Sequence, residues 1–163
     1  MRARGWFFTQ VATFPYNPAG TVLGQATPDS CVAACCRMLL ADHGLTQPEA
    51  FLRTALQVKQ GAYLSDLPPV LAQFGLPLTM VYRSELTLAE LRAAVNRAPA
   101  IVFVKSAVYG GHALIVDEIN VRVSVRDPLP LGHGRAYRVP LTAFTDAWLR
   151  ADTQCGQAVV VEE

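Results

Sequence analysis

At 163 residues the chain is one ordinary domain in length, enough to bury roughly two thirds of its unfolded surface without disulfide or metal staples. With 52% hydrophobic residues, 17% charged residues and a formal net charge of +1, it is no disordered chain, and its scattered Lys and Arg give no concentrated positive face for a nucleic acid. Its longest apolar stretches, 98–104 and 113–116, fall far short of the ~20 residues of a membrane span.

The N-terminal MRARGWFFTQVATFPYN carries two arginines and only a broken apolar run, with no small-residue cleavage site after it, so it does not read as a signal peptide. The Pro/Gly-rich stretch 15–28 is predicted to be an ordered loop leading into a first helix. That helix starts near Asp29 or Ser30, either of which can cap it, and runs through Arg37 to about Asp42, with Gly44 in the usual terminating position. PEAFLRTALQV (48–58) has Pro at a helix start and helical apolar spacing. SDLPPVLAQFG (65–75) is expected to form a third short helix, capped by Ser65 and closed by Gly75, and LPLTMVYR (76–83) alternates as a strand does. TLAELRAAVNR (87–97) is the clearest helix, because Thr87 and Glu90 make a capping box.

From there the pattern turns to strands: 98–105, 112–119, 121–126, 135–139 and 157–162, interrupted by a short helix over LTAFTDAWLR (141–150). Helices first and mainly antiparallel strands after predict an α+β fold, a helical half packed on a sheet. One domain spans 1–163, with 1–20 as an N-terminal extension packed on it. Cys31, Cys35 and Cys36 share one predicted helix and rarely reach disulfide geometry, so with Cys155 they form no disulfide framework. A reduced, cytoplasmic chain is expected.

The candidate chemistry starts at Cys31, the only cysteine at a predicted helix N-terminus, where unsatisfied amides and the dipole favour a thiolate. Cys35 and Cys36 lie a turn deeper among Ala, Met and Leu and read as small buried hydrophobes; Cys155 lies in a loop beside Gly156. A CxxxCC metal site lacks a second pair at zinc spacing. A catalytic thiol needs a base and an orienter for the base. His43 suits the end of the first helix, and His133 sits between two glycines in a turn. His112 follows Gly110 and Gly111 and opens the strand HALIVDEI, which would aim its ring. A core histidine satisfied by hydrogen bonds is the competing reading. If 112–119 and 121–126 pair as a hairpin, Asp127 returns beside His112, although an Asp before Pro128 is also a common turn former. Gln25, six residues ahead of Cys31, could fold back and join the Cys31 amide in holding an oxyanion; a solvent-facing loop glutamine is the alternative.

The order Gln25…Cys31…His112…Asp127 is similar to that of papain-like cysteine peptidases, and more closely resembles the bacteriocin-processing peptidases that remove double-glycine leader peptides and are often fused to an ABC exporter. The likeness lies in the Q-x5-C step, the helix CVAACCRMLLADHG, a Ser-Asp-Leu helix ahead of FGLPL, and the TLAEL helix. It continues in a His opening an apolar strand, a DP pair fifteen residues later and a late FTDAW helix. It runs from about residue 20 to the C-terminus. The resemblance implies a papain-like fold with Cys31 as nucleophile, His112 as base and then acid, Asp127 as its orienter and Gln25 completing the oxyanion hole. No metal or organic cofactor is implied.

Val32 follows the cysteine where the family usually has Gly, beside the substrate groove. Gly110, Gly111, Tyr63 and Tyr109 are further candidates to line that groove. The implied substrate is a peptide or protein cut after small residues, with an exporter as partner of a stand-alone enzyme or excised domain. A second reading keeps the triad in an effector or toxin that cleaves, deamidates or acyl-transfers on a target protein inside another cell, with an immunity-type partner. A third is a non-catalytic peptide-binding domain on the same fold.

Overall fold

The computed structural model describes residues 6–58, 61–106, 110–149 and 156–162. Its elements are β1 (Phe14–Pro15), α1 (Cys31–Ala41), α2 (Glu49–Ala55), a 3₁₀ turn (Leu64–Asp66), α3 (Leu67–Gln73), β2 (Met80–Arg83), α4 (Leu88–Val95), β3 (Ala100–Ser106), β4 (Gly110–Ile119), β5 (Arg122–Asp127), β6 (Arg135–Pro140), α5 (Leu141–Leu149) and β7 (Ala158–Val161). The strands make one seven-stranded sheet in the order β1-β6-β5-β4-β3-β7-β2, every pair antiparallel. This is the α+β architecture that the sequence predicts. Among the described residues no helix is long and apolar enough to cross a membrane.

Helices cover both faces of the sheet. Helices α1, α2 and α3 pack with Ile101, Ala113, Ile115 and Val159. Helices α4 and α5 pack on the reverse face with Val102, Val104, Leu114, Val116, Val123 and Val125. Successive β3 residues therefore enter opposite cores, which is why AIVFV is an unbroken apolar run rather than an alternating one. The expected helical half thus accounts for one face only, and the two later helices supply the other.

Helix α1 is buried along most of its circumference, from Val32 to Leu40 with Arg37 facing outward. Cys35 and Cys36 are fully buried and free, small enough for close packing against the sheet. Gly44, at φ +76°, ends the helix: Leu45 N–H reaches back to the Leu40 carbonyl at 3.0 Å and Gly44 N–H to Ala41 at 3.0 Å. The Thr87–Glu90 capping box of α4 forms with both of its bonds.

Ser65 does not cap α3; it lies inside the 3₁₀ turn, and Asp66 holds the cap position without a side-chain bond. The reason is local. A cap accepts the amides of the second and third helical residues, and here those are Pro68 and Pro69, which have none. Ser30 likewise stands at the cap of α1, but its hydroxyl accepts from Thr27 N–H at 3.0 Å and donates to the Thr27 carbonyl at 2.9 Å. It closes the preceding loop instead of capping the helix.

Candidate active site

The predicted hairpin forms. Strands β4 and β5 pair from Ile119↔Val123 to Ile115↔Arg126, with a bulge between Val116 and Glu118. The end of β5 returns beside the start of β4, and Asp127 Oδ1 lies 2.7 Å from His112 Nε2. Both side chains are buried, at 0% and 4% exposure. Asp127 accepts four hydrogen bonds: from His112, from the Leu129 amide at 3.0 Å, from the Phe7 amide at 2.8 Å and from the Tyr137 hydroxyl at 2.6 Å. A carboxylate so held has no rotational freedom left and can fix the ring it faces.

With Nε2 engaged by Asp127, the other ring nitrogen is left for Cys31, and the thiol and imidazole lie close enough for each to shift the other's ionisation. Cys31 is partly exposed and is the first residue of α1, so its amide has no partner within the helix. Burial is the largest influence on the thiol and opposes ionisation. The His112 bond and charge, with backbone amides at Ala113 and Val32, outweigh it and lower the pKa below 9.0. Burial likewise opposes a charged His112, but the Asp127 charge and hydrogen bond and the Cys31 thiolate push its pKa up to about 10. Both shifts run in the direction of a thiolate–imidazolium pair. Cys35, one turn deeper, goes the other way: burial, then the Cys31 and Asp127 charges, raise its pKa well above the usual thiol range.

Gln25 is buried, and its backbone bridges two segments: its amide donates to Pro128 at 2.9 Å, and its carbonyl accepts from Gly132 at 2.9 Å. The side-chain Nε2 donates to the Thr27 carbonyl at 2.8 Å and to Pro28 at 3.3 Å, while Oε1 is buried without a partner. Next to it, both Glu49 carboxylate oxygens accept the Ala26 amide, at 3.2 and 3.1 Å. Gly24 packs so closely on the Gly132–Gly134 backbone that no side chain would fit. His133 belongs to that brace and lies outside the Cys31–His112–Asp127 cluster.

A cleft of about 650 Å³ opens at Cys31, with walls that include Val32, Tyr63, Leu64, Phe103 and Gly111. The Phe103 ring lies over Gly111 where a side chain would otherwise stand. Tyr63 is 79% exposed at the rim, and Gly110 is not part of the wall. Tyr109 and Cys155 lie outside the described residues.

The sequence reading missed the supports. Arg126, at 1% exposure, sits beside Asp127 and is clamped by Asp42 at 2.9 and 2.9 Å, by Asp117 at 2.9 to 3.2 Å and by the Thr21 carbonyl at 2.9 Å. It ties the end of α1 to the β4–β5 hairpin. The Phe7 ring stacks on His112, with centroids 5.5 Å apart and planes at 9°.

Comparison with known proteins places this arrangement in context. A family model described as the peptidase C39 family matches residues 21–151. A double glycine motif protease from an AMS/PCAT transporter, crystallised in complex with the leader peptide, superposes with a TM-score of 0.61 over 93% of this chain and 98% of that one, at 15% identity. The peptidase domain of Streptococcus ComA, a bi-functional ABC transporter involved in a quorum sensing pathway, gives 0.66 over 86% and 96%, at 19% identity. A protein described as C39-like peptidase from Bacillus anthracis gives 0.64 over 99% and 98%, at 16% identity. No curated protein matches the chain significantly.

Proposed function

Since the chain belongs to the peptidase C39 family and is a cysteine peptidase, we propose that it cuts a leader or precursor peptide after small residues, through Cys31, His112, Asp127 and Gln25. The observation that carries this reading is the buried 2.7 Å bond between His112 and Asp127, with Cys31 on the ring's other side at the head of α1 and at the edge of a cleft.

The Cys31 thiolate attacks the scissile carbonyl, and the electron pair moves to oxygen as an oxyanion. The Cys31 amide and Gln25 Nε2 hold that oxyanion, Gln25 exchanging its 3.3 Å bond to Pro28 for one to the substrate. Collapse breaks the C–N bond, the His112 imidazolium protonates the leaving amine, and a thioester remains on Cys31. His112 then takes a proton from water, the hydroxide attacks the thioester, and the acid product leaves as the thiolate is restored. Asp127 keeps the ring in the tautomer and orientation that both steps need.

The transporter-linked neighbours and the leader peptide bound to one of them support a leader-type substrate. Val32 stands on the cleft wall where the family usually has Gly. The test is a set of synthetic peptides with Gly-Gly, Ala-Gly or Ala-Ala ahead of one scissile bond, read by mass spectrometry beside Cys31→Ala. Cleavage after the small pair, absent in the variant, is expected. Intact peptides across the set, with a Cys31 that still alkylates readily at neutral pH, would refute the small-residue specificity.

A further inference from the structure

We propose that Phe7 is a positioning residue for the Cys31–His112 pair, its amide holding Asp127 and its ring fixing His112, so that the segment Trp6–Phe8 is a working part of the active site. The inference rests on the catalytic reading above and adds to it a segment lying ahead of the family match, which begins at residue 21.

Phe7 touches the site in two independent ways. Its amide donates to Asp127 Oδ2 at 2.8 Å, on the oxygen that also takes the Tyr137 hydroxyl, leaving Oδ1 for His112 and Leu129. Its ring lies nearly parallel to the imidazole, 9° between planes and 5.5 Å between centroids. An offset, parallel partner packs beside the imidazole face without blocking either nitrogen, since both nitrogens bond in the ring plane. One edge stays open to Asp127 and the other to Cys31. The aromatic face attracts an imidazolium more than a neutral ring, and the exclusion of water strengthens the charge-assisted bond to Asp127. A phenyl ring that merely filled space would need no such orientation; Phe7 meets Phe8 edge-on, at 80°.

The segment and the chain that follows it have anchors of their own, so the contact is held rather than incidental. Arg135 lies over the Trp6 ring at 4.1 Å, Arg122 over Phe14 at 3.3 Å and Arg138 over Tyr16 at 4.8 Å. Trp6 and Phe8 both pack on Tyr137. Among the described residues, the titratable or charged groups around the Phe7–His112 stack are Cys31 and Cys35 on α1, Arg126 and Asp127 on β5 and Tyr137 on β6; Trp6, Phe7 and Phe8 add none.

The experiment follows Cys31 alkylation by iodoacetamide against pH in the full chain, read on the Cys31 peptide by mass spectrometry, with thermal unfolding measured in parallel. Phe7→Leu keeps apolar volume but loses the flat face, and should lower the rate at about pH 6 by about tenfold, a shift of about one unit in the acid limb. Phe7→Tyr should restore the wild-type profile. Phe14→Ala, which loosens the same segment away from the site, should lower the melting temperature and leave the profile alone. Superimposable profiles for Phe7→Leu, Phe7→Ala and wild type would overturn the inference and leave the catalytic reading standing. A wild-type profile of an ordinary thiol, unchanged by His112→Ala, would overturn the catalytic reading and this inference together.

Discussion

The Tyr137 hydroxyl donates to Asp127 Oδ2 at 2.6 Å, while the other oxygen of the same carboxylate holds His112 at 2.7 Å. Tyr137 thus acts on the ring through the carboxylate, as one of four donors that fix how it is turned. Two substitutions separate charge from orientation. In Asp127→Asn one oxygen becomes an NH₂ group, which only donates: turned toward His112 it holds the imidazole in the wrong tautomer, with Nε2 accepting, and turned the other way it loses the Phe7 amide. Hydrolysis should fall by about 10⁴, as when such an orienting carboxylate is neutralised in another triad. Tyr137→Phe removes one of four bonds, and the rate should drop only by about tenfold, near the net worth of one hydrogen bond to a charged group. Steady-state rates on a cleaved peptide check both.

The pH dependence has a definite sign. His112 has its pKa raised from 6.5 to about 10, so its proton is retained to that pH; Cys31 has its pKa lowered from 9.0, so the thiolate appears early. Hydrolysis needs both forms and should be bell-shaped, with an alkaline limb near pH 10. Alkylation needs only the thiolate and should stay high above that limb. The stability that His112 contributes is complete below pH 6.5 and is lost as pH rises through about 10; that of Cys31 is present above its ordinary value and is lost as pH falls through its lowered one. Parallel rate and alkylation profiles test the split, and a common alkaline fall in both would contradict it.

Arg126 is the strongest structural dependence near the site. Its guanidinium is buried between Asp42 and Asp117, and these pairings outweigh the burial that opposes its charge. Arg126→Met leaves two nearly buried carboxylates without their cation and should cost about 3–5 kcal/mol in urea unfolding. Adding Asp42→Asn and Asp117→Asn to it should recover part of that loss, because the unpaired charges are then gone. A triple variant no more stable than the single one would show that the arginine acts through packing alone.

How far the sequence could lead differs between these residues. His112 and Asp127 were legible because a hairpin is local: two strand patterns meet at a turn, and the Asp-Pro pair stops the second strand opposite the start of the first. Arg126 was not. Period two puts it on the same strand face as Arg122 and Ser124, which reads as solvated, yet at that point the face is covered by Asp42 at the end of α1 and by Thr21, more than eighty residues away in the chain. The apolar run AIVFV in β3 left open whether one face or two were covered, and α4 and α5 settle it. Trp6-Phe7-Phe8 announces burial, but no local rule pairs residue 7 with residues 112 and 127. Ser65 failed as a cap because the 3₁₀ turn takes it in and moves the cap to Asp66, whose second and third helical residues are prolines without amides.

Gln25 is the residue whose role geometry and chemistry test most differently. Its Nε2 is occupied by Thr27 and Pro28, and the longer of these bonds, 3.3 Å, is the weaker. An oxyanion carries a full charge and binds an N–H more strongly than a neutral carbonyl does, so under the proposed mechanism the Pro28 bond is the one expected to yield. Iodoacetamide reacts with the thiolate by displacement and forms no oxyanion. Gln25→Ala should therefore leave the Cys31 alkylation profile unchanged while lowering peptide hydrolysis by about 10²–10³. The backbone bonds of residue 25 to Pro128 and Gly132 survive the substitution, so the loop keeps its course. If alkylation falls along with hydrolysis, Gln25 acts by holding the loop around Cys31. If neither changes, the second oxyanion donor is another group.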